Sequence, residues 1–198
     1  MSTTSRRGFT LVEILVAGAL TLTFLGILVN LMFKVSGTLH KTAIIAELQQ
    51  TSHLVASRIS GFAHRCDDGG ATFLVDTNQS ALAFHPVQDV SPSARKMYDP
   101  HVTVFGWSAV AQTLSIFHSD DFPADDRYQP RKLGPDAIRQ LLLGTVKSVL
   151  SRDLQSLKLT SPDSNFPVLM TLRFVRNAPG VGPQAIVLER CLVLRNVF

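Results

Sequence analysis

Four aspartates within seven positions, Asp120, Asp121, Asp125 and Asp126, are the densest group of potential ligands in this chain. Carboxylates at that density offer the hard oxygen donors that calcium takes. Their spacing departs from an EF-hand loop, so a solvated acidic loop is the plainer reading. Calcium is the one weak candidate, and no other cofactor is expected. Asp67 and Asp68, before Gly69 and Gly70, read as a turn. The six histidines, His40, His53, His64, His85, His101 and His118, show no metal-ligand spacing. His-Glu-x-x-His, Cys-x-x-Cys, Gly-x-Ser-x-Gly, the P-loop and Gly-x-Gly-x-x-Gly are all absent. Nothing in these groups predicts an enzyme. Phe105, Trp107 and Phe117 lie in strand-like runs and read as core. Arg95 with Lys96, and Arg131 with Lys132, are too sparse to predict a nucleic-acid partner.

One further ionisable group is oddly placed. Glu13 is the single charge in the 25 positions from Phe9 to Phe33. A carboxylate inside an apolar run costs free energy and is by default a functional hypothesis. The run accounts for the composition of the whole chain. Of 198 residues, 45% are hydrophobic and 17% charged, which is rich in apolar and poor in charged residues for a soluble chain. Outside the run the composition is ordinary. The chain is therefore neither disordered nor a polytopic membrane protein nor a disulfide-dense miniprotein. The formal charge of +4 is scattered, with no long block of one sign.

As a helix, the run rises about 37 Å, more than the hydrocarbon thickness of a bilayer of about 30 Å. Arg6 and Arg7 precede it, so the positive-inside rule keeps the N-terminus cytoplasmic. The run is longer than the core of a secretory signal peptide, and no clear Ala-x-Ala site follows it. A plain single-pass anchor leaves Glu13 unexplained.

Arg6-Arg7-Gly8, then Phe9-Thr-Leu-Val-Glu13, then about twenty apolar residues resemble the class III signal of type IV prepilins and pseudopilins. The resemblance implies cleavage between Gly8 and Phe9 by a prepilin peptidase and N-methylation of Phe9. It makes Glu13 the fifth residue of the mature chain and an assembly residue. In this family the carboxylate pairs with the N-terminal amine of a neighbouring subunit. A buried carboxylate needs such a partner. The implied location is single-pass in a bacterial inner membrane with a periplasmic head, and then the pilus or pseudopilus. The implied partners are other pilin or pseudopilin subunits, the prepilin peptidase and the inner-membrane assembly platform.

No proline occurs before Pro86. After Lys34 an amphipathic stripe follows at spacings of three and four: Val35, Leu39, Thr42, Ile45, Leu48, Ser52, Val55, Ile59 and Phe62. The pattern predicts one helix from about Phe9 to about Ala63, some 80 Å long. Residues 1–8 read as leader, 9–33 as the membrane or filament-core half of the helix, 34–64 as its amphipathic half and 65–198 as a globular head. In the head, 72–75 with 81–85 and 102–107 with 113–118 read as two strand pairs. A polar stretch over 119–132 follows, then a short helix at 135–143. Strands are predicted at 146–150, 154–160, 168–175 and 186–197, with a connection at 177–183. The expected class is α+β, a pilin-like long helix laid on an antiparallel sheet.

The order and length of these elements also resemble the larger minor subunits, the PilW-like minor pilins and the J-type pseudopilins of type II secretion. Cys66 and Cys191 form a bridge if the head is periplasmic, and otherwise stand as two separate thiols. The periplasmic reading favours the bridge. Two functions follow. One is a structural subunit that assembles at or near a filament tip. The other is a tip-located binding module, an adhesin or DNA-uptake subunit.

Overall fold

A run without proline whose apolar side chains recur every three or four residues has few alternatives to an α-helix. The computed structural model describes residues 10–162 and 166–194. It forms a helix α1 over Leu11–Ala63. The chain divides into two compact units between Ala43 and Ile44.

In the first unit every described residue of α1 is exposed. Its threonines turn their hydroxyls back onto the helix. Thr21 Oγ1 donates to the Ala17 carbonyl at 2.7 Å and Thr23 Oγ1 to the Ala19 carbonyl at 2.8 Å. Thr38 and Thr42 do the same to Lys34 and Thr38. Such back-bonding hides polar atoms from the surroundings. By length and composition α1 can cross a membrane.

The second unit contains the rest of α1 and the strands. Within α1 the buried residues are Ile44, Leu48, Ser52, Val55, Ala56, Ile59 and Ala63. The expected stripe is thus right from Leu48 to Ile59. It begins at Ile44 rather than Ile45, and Phe62 is half-buried. Val35, Leu39 and Thr42 continue the period but are exposed.

Three antiparallel sheets follow. The five-stranded sheet has the order β1 (Ala71–Val75), β2 (Gln79–Phe84), β5 (Thr103–Ser108), β6 (Thr113–His118) and β7 (Ser148–Ser151). The three-stranded sheet has the order β10 (Gly182–Leu192), β9 (Val168–Ala178) and β8 (Leu154–Thr160). The pair β3 (Val87–Val90) and β4 (Lys96–Tyr98) stands apart. Both expected hairpins form, with Leu74 opposite Ala81 and Phe105 opposite Ile116. The class is α+β, with three sheets where one was expected.

The β3–β4 pair was not predicted. It carries a bulge and an exposed outer half, which break the alternation that marks a strand. The expected connection at 177–183 shrinks to three residues, because β9 and β10 continue into it. Gly180 and Gly182 supply the positive φ of 76° and 77° that so tight a turn needs. The last strand ends at Leu192 rather than Val197.

The main core lies between α1 and both larger sheets. Leu48 and Ile59 of α1 share it with Phe84, Phe105, Leu114, Leu172 and Phe174. Phe62 meets the Phe105 ring edge-on at 5.2 Å between centroids. The Trp107 indole N–H donates to the Leu154 carbonyl at 2.9 Å, joining β5 to β8. The far face of the five-stranded sheet packs under a second helix, α2 (Pro135–Leu142). There Ile138 meets Ala81, Val104 and Phe117. Covering on both faces explains why β2 and β5 read as unbroken apolar runs. Gly106 lets α2 approach, since a Cβ there would fall 2.1 Å from Leu142 Cδ2.

Ile59 is fully buried. Ile59→Ala is expected to lower unfolding free energy by about 2–5 kcal/mol, as measured by denaturant titration of the full chain in detergent.

Candidate functional site

Thr10-x-x-Glu13 opens α1 and matches a capping box, in which each side chain bonds the other residue's backbone N–H. The structure forms it. The Thr10 N–H donates to Glu13 Oε2 at 2.8 Å, and the Glu13 N–H donates to Thr10 Oγ1 at 3.3 Å. Thr10 Oγ1 also donates to Glu13 Oε2 at 3.1 Å. Both bonds to the carboxylate use Oε2, and among the described residues Oε1 has no partner. Glu13 therefore has a local role that the family motif does not state. The Thr-x-x-Glu spacing is the sequence signature of that role. Gly8 and Phe9, the expected cleavage and methylation positions, lie outside the described residues.

The acidic loop is organised by protein groups. Asp126 pairs with Arg131, and Asp121 Oδ1 lies 3.7 Å from His101 Nδ1. Asp120 is exposed, and of Asp125 only the backbone is described. Among the described residues no three His, Cys, Asp or Glu side chains are grouped to hold a metal ion.

The loop is anchored by His85, a fully buried side chain at the end of β2. Its Nδ1 accepts the Arg131 backbone N–H at 2.9 Å, and its Nε2 lies 2.8 Å from the Asp99 carbonyl. These partners require the neutral ring with the proton on Nε2, since a carbonyl only accepts. Burial is the main cause that lowers the His85 pKa. Phe122 meets the ring edge-on at 5.4 Å, and Arg131 stacks on Phe122 at 4.4 Å.

Tyr98 stacks on the other side of His85 at 5.1 Å. Its hydroxyl donates to Asp67 Oδ2 at 2.6 Å, and Lys96 Nζ reaches the same oxygen at 3.3 Å. Gly70 lets the Asp67 turn close on His85, because a Cβ there would sit 2.6 Å from the His85 carbonyl oxygen. Asp67, expected to be a turn residue only, thus ties the helix exit to β4. No linear motif announces this node. Its members come from four separate segments and meet only in the fold.

A second node fastens α1. Arg176 of β9 places Nη1 2.6 Å from Glu47 Oε2 and Nη2 2.6 Å from Asp153 Oδ2. Its Nε also reaches Asp153 Oδ1 at 3.3 Å, completing a bidentate pair.

The expected bridge between Cys66 and Cys191 is not made: both thiols are free. The alternation of β10 is the reason. Leu192 faces the core, so its neighbour Cys191 faces solvent, while Cys66 is fully buried. Burial pushes the Cys66 thiol up to about 12, with Asp67 adding to the effect. That thiol is inert at neutral pH.

A groove of about 610 Å³ runs between α1 and β7, lined by Thr51, Leu54, Val55, Arg58, Val149 and Leu150. Ser57 joins Thr51 and Arg58 in its polar lining. No family model matches the chain, and no curated protein or solved structure matches it either.

The His85 geometry sets a pH dependence. The folded state refuses a proton that the unfolded histidine takes near pH 6.5. Stability is therefore full above that value and falls as pH drops through it, by up to about 1.4 kcal/mol per pH unit. His118 acts in the same direction, its pKa lowered by burial and then by His101. In His85→Gln the slope between pH 7.5 and 5 should shrink, leaving the His118 share. An unchanged slope in urea titrations across that range would contradict the assignment.

Proposed function

We propose that this chain is a minor subunit of a type IV pilus or type II secretion pseudopilus. It would be held in the inner membrane by α1, processed between Gly8 and Phe9, and built into the filament at or near its tip. The head does no chemistry in this reading, and its periplasmic placement follows from Arg6 and Arg7.

One observation carries the reading. From Leu11 to Phe33 the helix exposes an apolar surface broken by a single charge, with its hydroxyls bonded internally. A lipid bilayer and a filament core are the two surroundings that such a surface fits. The helix then continues into a head whose core it helps to form. Glu13 fits both stages. In isolation it caps the helix through Oε2, and Oε1 remains for the amine of a neighbouring mature subunit.

Replacing Gly8 by a bulky residue should block processing when the chain is co-expressed with a prepilin peptidase. The readout is the mass of the purified chain, which should keep residues 1–8. Normal cleavage of that variant would refute the site. Glu13→Ala and Glu13→Gln separate the two roles of the carboxylate. Gln keeps a capping box but carries no charge. Both variants should be processed, and both should lose most filament incorporation, scored by immunoblot of sheared filaments. Full incorporation of the Gln variant would reduce Glu13 to a helix cap.

A further inference from the structure

The histidines show no ligand spacing along the chain, but folding brings two of them into contact. His101 lies two residues before β5, and His118 closes β6. Thr103 pairs with His118 across the β5–β6 hairpin, so both histidines sit at the same end of it. Their rings are 4.0 Å apart between centroids, with planes tilted by 37°. Both residues are half-buried. Among the described residues no hydrogen bond engages any ring nitrogen of the pair. His85 is the contrast: it is buried and spends both nitrogens on backbone groups. A packing role alone leaves the nitrogens of His101 and His118 dependent on solvent, whereas half-buried polar groups usually find a partner.

We propose that His101 and His118 together bind a zinc-type divalent ion. Zinc lies about 2.0–2.1 Å from each imidazole nitrogen it takes, so two nitrogens on one ion stand no more than about 4.2 Å apart. Rings in contact at 4.0 Å fall within that reach. A ligating imidazole must be neutral. Burial lowers the His118 pKa, and His101 and Lys147 add to the effect, against Asp99 and Asp121. Asp121 supplies negative charge beside the pair. Its Oδ1 lies 3.7 Å from His101 Nδ1, and its side chain is 79% exposed, with room to turn toward an ion or away from it.

The chemistry selects the metal. Imidazole suits zinc, copper and nickel, while calcium takes oxygen donors. The site is thus distinct from a carboxylate site in the acidic loop. Two imidazoles are fewer ligands than a closed structural zinc site uses, so water fills the remaining positions and the ion exchanges. When bound, it adds a link between the approach to β5 and the end of β6. The proposal uses only this end of the hairpin and stands whether or not α1 enters a filament.

Calorimetric titration with zinc chloride tests it, on the full chain in detergent after chelator treatment. A Cys191→Ser background removes the exposed thiol, a competing ligand. One saturable site is expected. His101→Gln and His118→Gln should each weaken it by about tenfold or more, because one imidazole cannot replace two. His53→Gln, on the exposed side of α1, should leave it unchanged. An excess of calcium chloride should also leave the zinc isotherm unchanged. Far-UV circular dichroism checks that the variants fold. The unaltered chain supplies a second reading that needs no variant. Zinc should protect His101 and His118 from diethyl pyrocarbonate, mapped by peptide mass, and leave the exposed His40, His53 and His64 reactive. No saturable binding, full affinity in either His101→Gln or His118→Gln, displacement of zinc by calcium, or no selective protection of the pair would each overturn the proposal.

Discussion

The head rests on one stripe of one helix. Ile44, Leu48, Val55, Ile59 and Ala63 are the side of α1 that enters the main core. The five-stranded and three-stranded sheets both contribute to that core, and each presents it a single apolar face. Neither sheet can bury that face in water without a partner. At roughly 1.5–3 kcal/mol for each large side chain removed from water, a stripe of this length is comparable to the whole net stability of a domain. The polar ties to the same helix act on its placement more than on its stability. Arg176 holds Glu47 and Asp153 together at a partly exposed position, where ion pairs contribute modestly.

The same helix obeys a different rule before Ile44. There every described residue is exposed, and the threonines bond their hydroxyls internally. Thr21 and Thr23 give their hydroxyl protons to carbonyls one turn back. Glu13 spends one oxygen on its own helix start. A β-branched residue such as threonine would weaken an isolated helix in water. In apolar surroundings the internal hydroxyl bond offsets that weakness, because an unpaired hydroxyl there costs more. A single helix thus carries two surfaces, an exposed apolar one up to Phe33 and a core-facing one from Ile44.

Periodicity made most of this legible. The apolar run, the helix end at Ala63, the buried residues from Leu48 to Ile59 and both hairpins follow from spacing alone. Where the reading failed, the cause was a contact between distant segments. The stripe predicted burial for Val35 and Leu39, but spacing shows only which face is apolar, not what lies opposite it. The cysteines suggested a bridge on compartment grounds, yet the period-two facing of β10 turns Cys191 away from the core. The four aspartates read from the sequence as a solvated acidic loop, with calcium a weak candidate. Their partners are Arg131, five positions on from Asp126, and His101, which folding brings to Asp121.

His85 anchors the acidic loop by hydrogen bonds to two backbone groups. Its ring is enclosed between Tyr98 and Phe122, with Nδ1 spent on Arg131 and Nε2 on Asp99. A neutral imidazole can serve one donor and one acceptor at once, and no other side chain of that size does so with a flat apolar body. The Arg131 backbone is thereby fixed at the far end of the loop, which aims its guanidinium at Asp126 and lays it on Phe122. The charge of Asp126 is thereby compensated. The physical content of the cluster is a loop salt-bridged at Asp126 and tied by its backbone to a buried histidine.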